Sequence, residues 1–139
     1  MALHNDIGHL GEQCAVELLE KKKYKILERN WRLGKLEIDI IAANQKEIVF
    51  VEVKTRTSTI GGQPEEAVDQ QKRRFMTVAA NAYIKFHHEQ RNIRFDIIGI
   101  VMKKSGEIEQ ISHYENAFTP PERTRGNNSF IGRWRWKNR

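Results

Sequence analysis

With Cys14 as its only cysteine, the chain can form no intramolecular disulfide, and a zinc site built on cysteines would lack ligands. A reducing, cytoplasmic setting is the expectation. Met1 to Leu10 has no basic start followed by an apolar run, and nowhere do about eighteen apolar residues follow one another, the length a membrane-spanning helix needs. Neither export nor membrane insertion is expected, and no internal repeat is found. Net positive charge is also scarce in the body of the chain, where basic and acidic residues nearly balance. Of the formal net charge of +6, residues 119–139 supply +5 through Arg123, Arg125, Arg133, Arg135, Lys137 and Arg139 against Glu122, which leaves +1 for residues 1–118. A pI near 9.6 fits a polyanionic partner, but this basicity is a property of the tail. A functional case for the body must rest on its chemistry.

At 139 residues a single domain is expected, large enough to bury a core without staples. Apolar positions at helical spacing predict a helix over Asn5–Lys23, with Gly8 and Gly11 weakening its first turns. Strands are predicted at Tyr24–Trp31, Leu36–Ala42 and Glu47–Thr55, the last two joined as an antiparallel hairpin through Asn44-Gln45, with Leu33-Gly34-Lys35 as the preceding turn. A Ser/Thr/Gly loop over Thr57–Pro64 leads to Pro64-Glu65-Glu66, a favourable start for a helix running to about His88 with a broad apolar stripe from Phe75 to Phe86. Arg94–Met102 reads as a buried strand and Glu107–His113 as an edge strand. From Thr119 onward Pro, Arg, Asn and Gly replace the apolar periodicity, so the packed domain is expected to span residues 1–118, followed by a basic, Trp-containing tail over 119–139.

Strand alternation predicts that Glu37, Asp39 and Ile41 share one face of the second strand, and Phe50, Glu52 and Lys54 one face of the third. Two acids and a lysine then converge on one face of a hairpin whose other face is aliphatic. Nothing in β propensity favours an aspartate in mid-strand, and charges near a covered region need partners, a metal or a job. Asp39 and Glu52 are hard oxygen donors of the kind Mg²⁺ takes in ones or twos beside waters and substrate phosphate, and Lys54 can orient water or offset transition-state charge. The spacing alone is weak, because an acid followed by Glu-x-Lys arises by chance and a cross-strand Glu/Lys pair is commonly a surface ion pair.

Asp39 followed by Glu52-Val53-Lys54 resembles the core motif of the PD-(D/E)xK nuclease superfamily. Gly11-Glu12-Gln13-Cys14-Ala15, Asn30-Trp31-Arg32, Glu37-Ile38-Asp39-Ile40-Ile41-Ala42 and Val49 to Arg56 together resemble the bacterial, largely uncharacterised YraN family. The likeness continues through Pro64-Glu65-Glu66-Ala67-Val68, Lys72, Arg94 to Gly99 and His113 to Phe118. It implies an α/β, restriction-endonuclease-like αβββαββ core with a central mixed sheet flanked by helices, akin to Holliday-junction resolvases. It also implies catalytic roles for Asp39, Glu52 and Lys54, metal ligation by Glu12, Asp39 and Glu52, support from Glu37 and Lys72, Mg²⁺ (or Mn²⁺) as cofactor, and DNA as partner, with branched or repair intermediates as substrates. Leu36 departs from the pattern, standing where a small residue precedes Glu-Ile-Asp.

Arg56 begins the stretch expected at the mouth of the site, and Arg73, within Lys72-Arg73-Arg74, is placed to meet phosphates, although such a run also suits a solvated face. In the tail, Arg133, Trp134, Arg135 and Trp136 interleave cations with rings, as phosphate contact with base stacking requires; packing on the domain or a neighbour is the alternative. His4, His9, His87 and His88 lack metal-ligand spacing. A dimer would suit cutting of two strands, but no interface is legible. The competing functional class is a non-cleaving nucleic-acid-binding or recombination and repair accessory protein that retains the acidic site.

Overall fold

The computed structural model describes residues 4–57 and 70–119. The order is α1 (His4–Lys21), β1 (Lys25–Leu33), β2 (Leu36–Ala43), β3 (Glu47–Thr57), α2 (Gln70–His87), β4 (Asn92–Met102) and β5 (Ile108–Phe118). The loop from residue 58, the helix start at Pro64-Glu65-Glu66 and the tail with Arg133, Trp134, Arg135 and Trp136 lie outside the described residues. No described helix is long and apolar enough to cross a membrane.

The strands form one sheet in the order β1-β2-β3-β4-β5. Only β3 and β4 pair in parallel, with α2 lying between them in the chain; the other three pairs are antiparallel. This mixed sheet with a helix on each face is the α/β architecture expected, and it matches a restriction-endonuclease-like core. On the α2 side Ile38, Ile41, Ile48, Phe50, Phe95 and Ile97 pack against Met76, Ala79, Ala80 and Tyr83, which recur at helical spacing. On the α1 side Ile40, Ala42, Val49, Val51, Ile98 and Ile100 pack against Ala15, Val16 and Leu19.

Three features differ from expectation for local reasons. The β1–β2 turn is tighter, because Leu33 pairs with Leu36 and Gly34 alone takes the positive φ of 59°. Strand β5 runs past His113 to Phe118: the Asn116 N–H is accepted by Asp96 Oδ1 at 2.9 Å and Phe118 stacks on Phe95 at 5.0 Å, so packing extends the strand beyond its apolar pattern. The apolar stripe of α2 is narrower than its sequence, since Phe75, Val78 and Phe86 face outward, Phe86 at 81 % exposure.

Gly11 has a positive role that helix propensity hides. A Cβ there would collide with Thr55 Oγ1 and lie 3.1 Å from Thr55 Cβ. The missing side chain lets α1 approach the end of β3 closely.

Candidate functional site

The β2–β3 ladder runs from Ala43–Ile48 to Ile40–Val51. Just beyond it the Val53 N–H is taken by Asp39 Oδ2 at 2.8 Å, a side chain replacing a backbone acceptor. The alternation of β2 changes phase here: Leu36 and Ile38 pack on the α2 side, Ile40 and Ala42 on the α1 side, and Ile41 on the α2 side again. Strict alternation therefore fails at Asp39, and the expectation that it shares one regular hairpin face with Glu52 is corrected. Its carboxylate lies in the seam between two strands and meets Glu52 there. Leu36 packs into the α2-side core.

Burial pushes the Asp39 carboxyl up to about 8, with the charge of Glu52 next in importance; the Val53 N–H opposes the rise, while Glu12 and a hydrogen bond between the two carboxyl groups add to it. Glu52 is only 4 % exposed, and its Oε1 accepts no hydrogen bond. Two ammonium groups stand near it, Lys72 Nζ at 3.5 Å from Oε1 and Lys54 Nζ at 3.8 Å from Oε2. The sheet supplies Asp39, Glu52 and Lys54, and α2 supplies Lys72.

Glu12 reaches the neighbourhood from α1. Its Oε1 accepts a hydrogen bond from Asn30 Nδ2 at 3.2 Å, and it acts on Asp39 through its charge. Among the described residues, no three His, Cys, Asp or Glu side chains form a ready metal cage. The donor set is two carboxylates with a third at a remove. That set still fits Mg²⁺, which draws one or two carboxylates from a protein and completes its shell with water and phosphate. The buried Glu52 Oε1, which accepts no hydrogen bond, and the Asp39 carboxyl with its raised value supply oxygens on which a cation and a proton would compete.

Other predicted residues stand elsewhere. Glu37 pairs with Arg32 at 3.4 Å on the neighbouring strand. The Arg73 guanidinium lies over the Phe118 ring, 5.3 Å from its centroid. Arg56 sits half-buried near the end of β3.

Residues 11–100 match the model of the family described as "Uncharacterised protein family UPF0102". The chain belongs to the UPF0102 family. This is the YraN family that the sequence motifs resembled. It is similar to a UPF0102 protein of Bacteroides thetaiotaomicron, 47 % identical over 121 residues that cover 87 % of this chain and 98 % of the relative. A UPF0102 protein of Porphyromonas gingivalis is 43 % identical over 118 residues, covering 85 % and 87 % of the two chains. One of Flavobacterium johnsoniae is 46 % identical over 122 residues, covering 85 % and 98 %. The UPF0102 match contains Glu12, Asp39, Glu52, Lys54 and Lys72.

This UPF0102 chain holds a second charged cluster, of which Arg94, Asp96, His113 and Asn116 lie in motifs that carried no expected role and Lys22, Tyr24 and Glu47 lie outside them. Arg94, 1 % exposed, grips Asp96 with two bonds of 2.8 Å, and donates to Glu47 Oε1 at 2.9 Å and to the Tyr24 hydroxyl at 2.7 Å. Lys22 Nζ, which can only donate, lies 2.8 Å from His113 Nδ1, so the other ring nitrogen carries the proton and donates to Asp96 Oδ2 at 2.7 Å. Burial resists ionisation of Asp96 most strongly, yet the bonds from His113, Arg94 and the Asn116 N–H outweigh it and hold the carboxyl below the usual range. The signal for this cluster was an Arg-x-Asp inside an otherwise apolar strand; Glu47, His113 and Tyr24 carry no local mark. Asn30, which steadies Glu12, was likewise only part of a motif.

Proposed function

We propose that this protein is a metal-dependent nuclease that hydrolyses phosphodiester bonds in DNA, with branched or repair intermediates as its substrates. The observation that carries the reading is the Asp39–Glu52 pair: a half-buried and a buried carboxyl group meet where the hairpin opens, and desolvation together with the charge of Glu52 pushes Asp39 up to about 8. A purely structural seam gains nothing from like charges brought together out of water. Asp39 and Glu52 would hold Mg²⁺ or Mn²⁺, with Glu12 tuning them from α1. Such an ion polarises a phosphodiester and acidifies a water.

The chain's own groups supply the rest. The Val53 N–H fixes the orientation of Asp39. Lys54, half-exposed at the rim, is placed to donate to an incoming water or a phosphate oxygen. Lys72 balances Glu52 from the helix side. A second reading, a non-cleaving DNA-binding or repair accessory protein, draws support from the two ammonium groups near Glu52, which already offset part of the charge a metal would neutralise.

The test is a panel of fluorescent single-stranded, duplex, flap, fork and four-way-junction DNAs with Mg²⁺ or Mn²⁺, applied to wild type, Glu52→Gln and Lys54→Ala. Metal-dependent cleavage lost in both variants is the expected result. Cleavage that survives both substitutions overturns the mechanism, and metal-independent binding without cleavage on every substrate favours the accessory reading.

A further inference from the structure

At the β2–β3 turn end of the sheet, away from the acidic site in mid-strand, Lys23, Lys25, Ala43, Asn44, Gln45, Lys46 and Arg91 line an open groove of about 770 Å³. Its wall is made by the α1–β1 junction, the β2–β3 turn and the entry to β4. Among these described residues four side chains are cationic and none is acidic, in a body whose net charge over residues 1–118 is only +1. The cations are presented by constrained backbone. Asn44 Oδ1 accepts the Lys46 and Glu47 N–H groups at 2.9 and 2.8 Å, which leaves its amide nitrogen as a donor. The Lys46 carbonyl accepts the Asn92 N–H at 3.1 Å. The Arg91 guanidinium is held by the Asn44 carbonyl at 3.1 Å and by Glu89 at 3.0 Å.

Lys23 adds a conformational argument. It follows α1 with a φ of 74°, where Tyr24 N donates to the Leu19 carbonyl and Lys23 N to that of Glu20, both at 3.0 Å. Glycine is the residue this helix-ending motif favours. A lysine held there keeps a cation on the groove against the local backbone preference. The lysine run thus divides its work: Lys22 turns to His113, while Lys23 and Lys25 line the groove.

We infer that this groove binds backbone phosphates of a nucleic acid strand, as a contact separate from the acidic site. Lys46 precedes Glu52 by six residues, roughly 20 Å along the extended strand. Among the described residues that line it no aromatic ring is present to stack a base, and lysines and an arginine meeting phosphates make a sequence-independent contact. The inference rests on the nucleic-acid part of the proposed function and does not depend on cleavage.

The experiment compares the full-length wild type with the Lys23→Gly/Lys25→Ser/Lys46→Ser variant. Fluorescence anisotropy follows a labelled DNA single strand and its duplex as salt is varied, beside anionic phosphatidylserine vesicles. The expected result is at least about tenfold weaker DNA binding, with the slope of log affinity against log salt shallower by about 2 to 3 on duplex, one contact for each lysine. Lys23→Gly alone should weaken binding yet raise Tm by about 3 °C, a trade that a merely structural lysine would not show. Unchanged affinity and slope in the triple variant overturn the inference. So does groove-dependent binding of vesicles without DNA binding. Groove-dependent DNA binding with no cleavage by any form leaves the inference standing while the nuclease reading falls. Failure of wild type to bind any DNA overturns both.

Discussion

Two aspartates on neighbouring parts of one sheet have opposite fates. Asp96 in β4 is buried among donors, with Arg94, His113 and the Asn116 N–H on it, and stays ionised below the ordinary range. Asp39 in β2 is half-buried beside Glu52, with one backbone N–H in its favour, and its carboxyl is pushed up to about 8. Burial penalises both charges; the company each keeps decides the outcome. The first arrangement resembles a lock that ties β5 to the body. The second leaves a cost that only a cation, a proton or a nearby ammonium can relieve, which is why the functional proposal rests there.

The comparison is broken most severely at Arg94. Arg94→Ala strands Asp96 and Glu47 without their cation, and should cost about 3–5 kcal/mol in urea denaturation, enough to leave the domain marginal. Gly11→Ala tests whether α1 must approach β3 closely; overpacking against Thr55 should destabilise by about 1–3 kcal/mol and, by moving Glu12, depress any metal-dependent cleavage more than DNA affinity.

Subtler effects come from titration. Because the folded-state value of Asp39 is raised from 3.8 to about 8, its contribution to stability falls as pH rises through that window, and Asp39→Asn should flatten the fall in Tm. Added Mg²⁺ should oppose the same fall at its alkaline end in wild type and not in Asp39→Asn. Asp96, shifted downward, acts with the opposite sign: its contribution is full above the ordinary carboxylate value and is lost as pH drops through its lowered one, so Asp96→Asn should blunt the acid side of the profile. The smallest effect is expected at Glu37, whose partner Arg32 is largely exposed; Glu37→Ala should change stability by no more than about 0.5 kcal/mol, and any larger loss of cleavage would place it in the site after all.

The element order was readable because hydrophobic periodicity is a local property, visible in runs such as Ile48 to Val53 and Met76 to Tyr83. The acids were readable as types, since an aspartate in a strand that from Ile38 to Ala43 is otherwise Ile and Ala contradicts its surroundings. The side of the sheet on which Asp39 would appear was not readable, because alternation holds only while the ladder is regular and this residue sits where it changes phase. Nor was the role of Arg94, whose partners Glu47 and Tyr24 lie 47 and 70 positions away in the chain.

Sequence by itself determined the α/β class, the succession of elements and the identity of the acids and lysines available, because these follow from periodicity and side-chain chemistry. Only the tertiary structure decided that Asp39 would meet Glu52 in an open seam, that Asp96 would meet Arg94 and His113, and that Lys23, Lys25, Lys46 and Arg91 would share one groove. Whether a buried charge is a lock or a reactive site depends on neighbours brought from distant parts of the chain, and no local pattern encodes them.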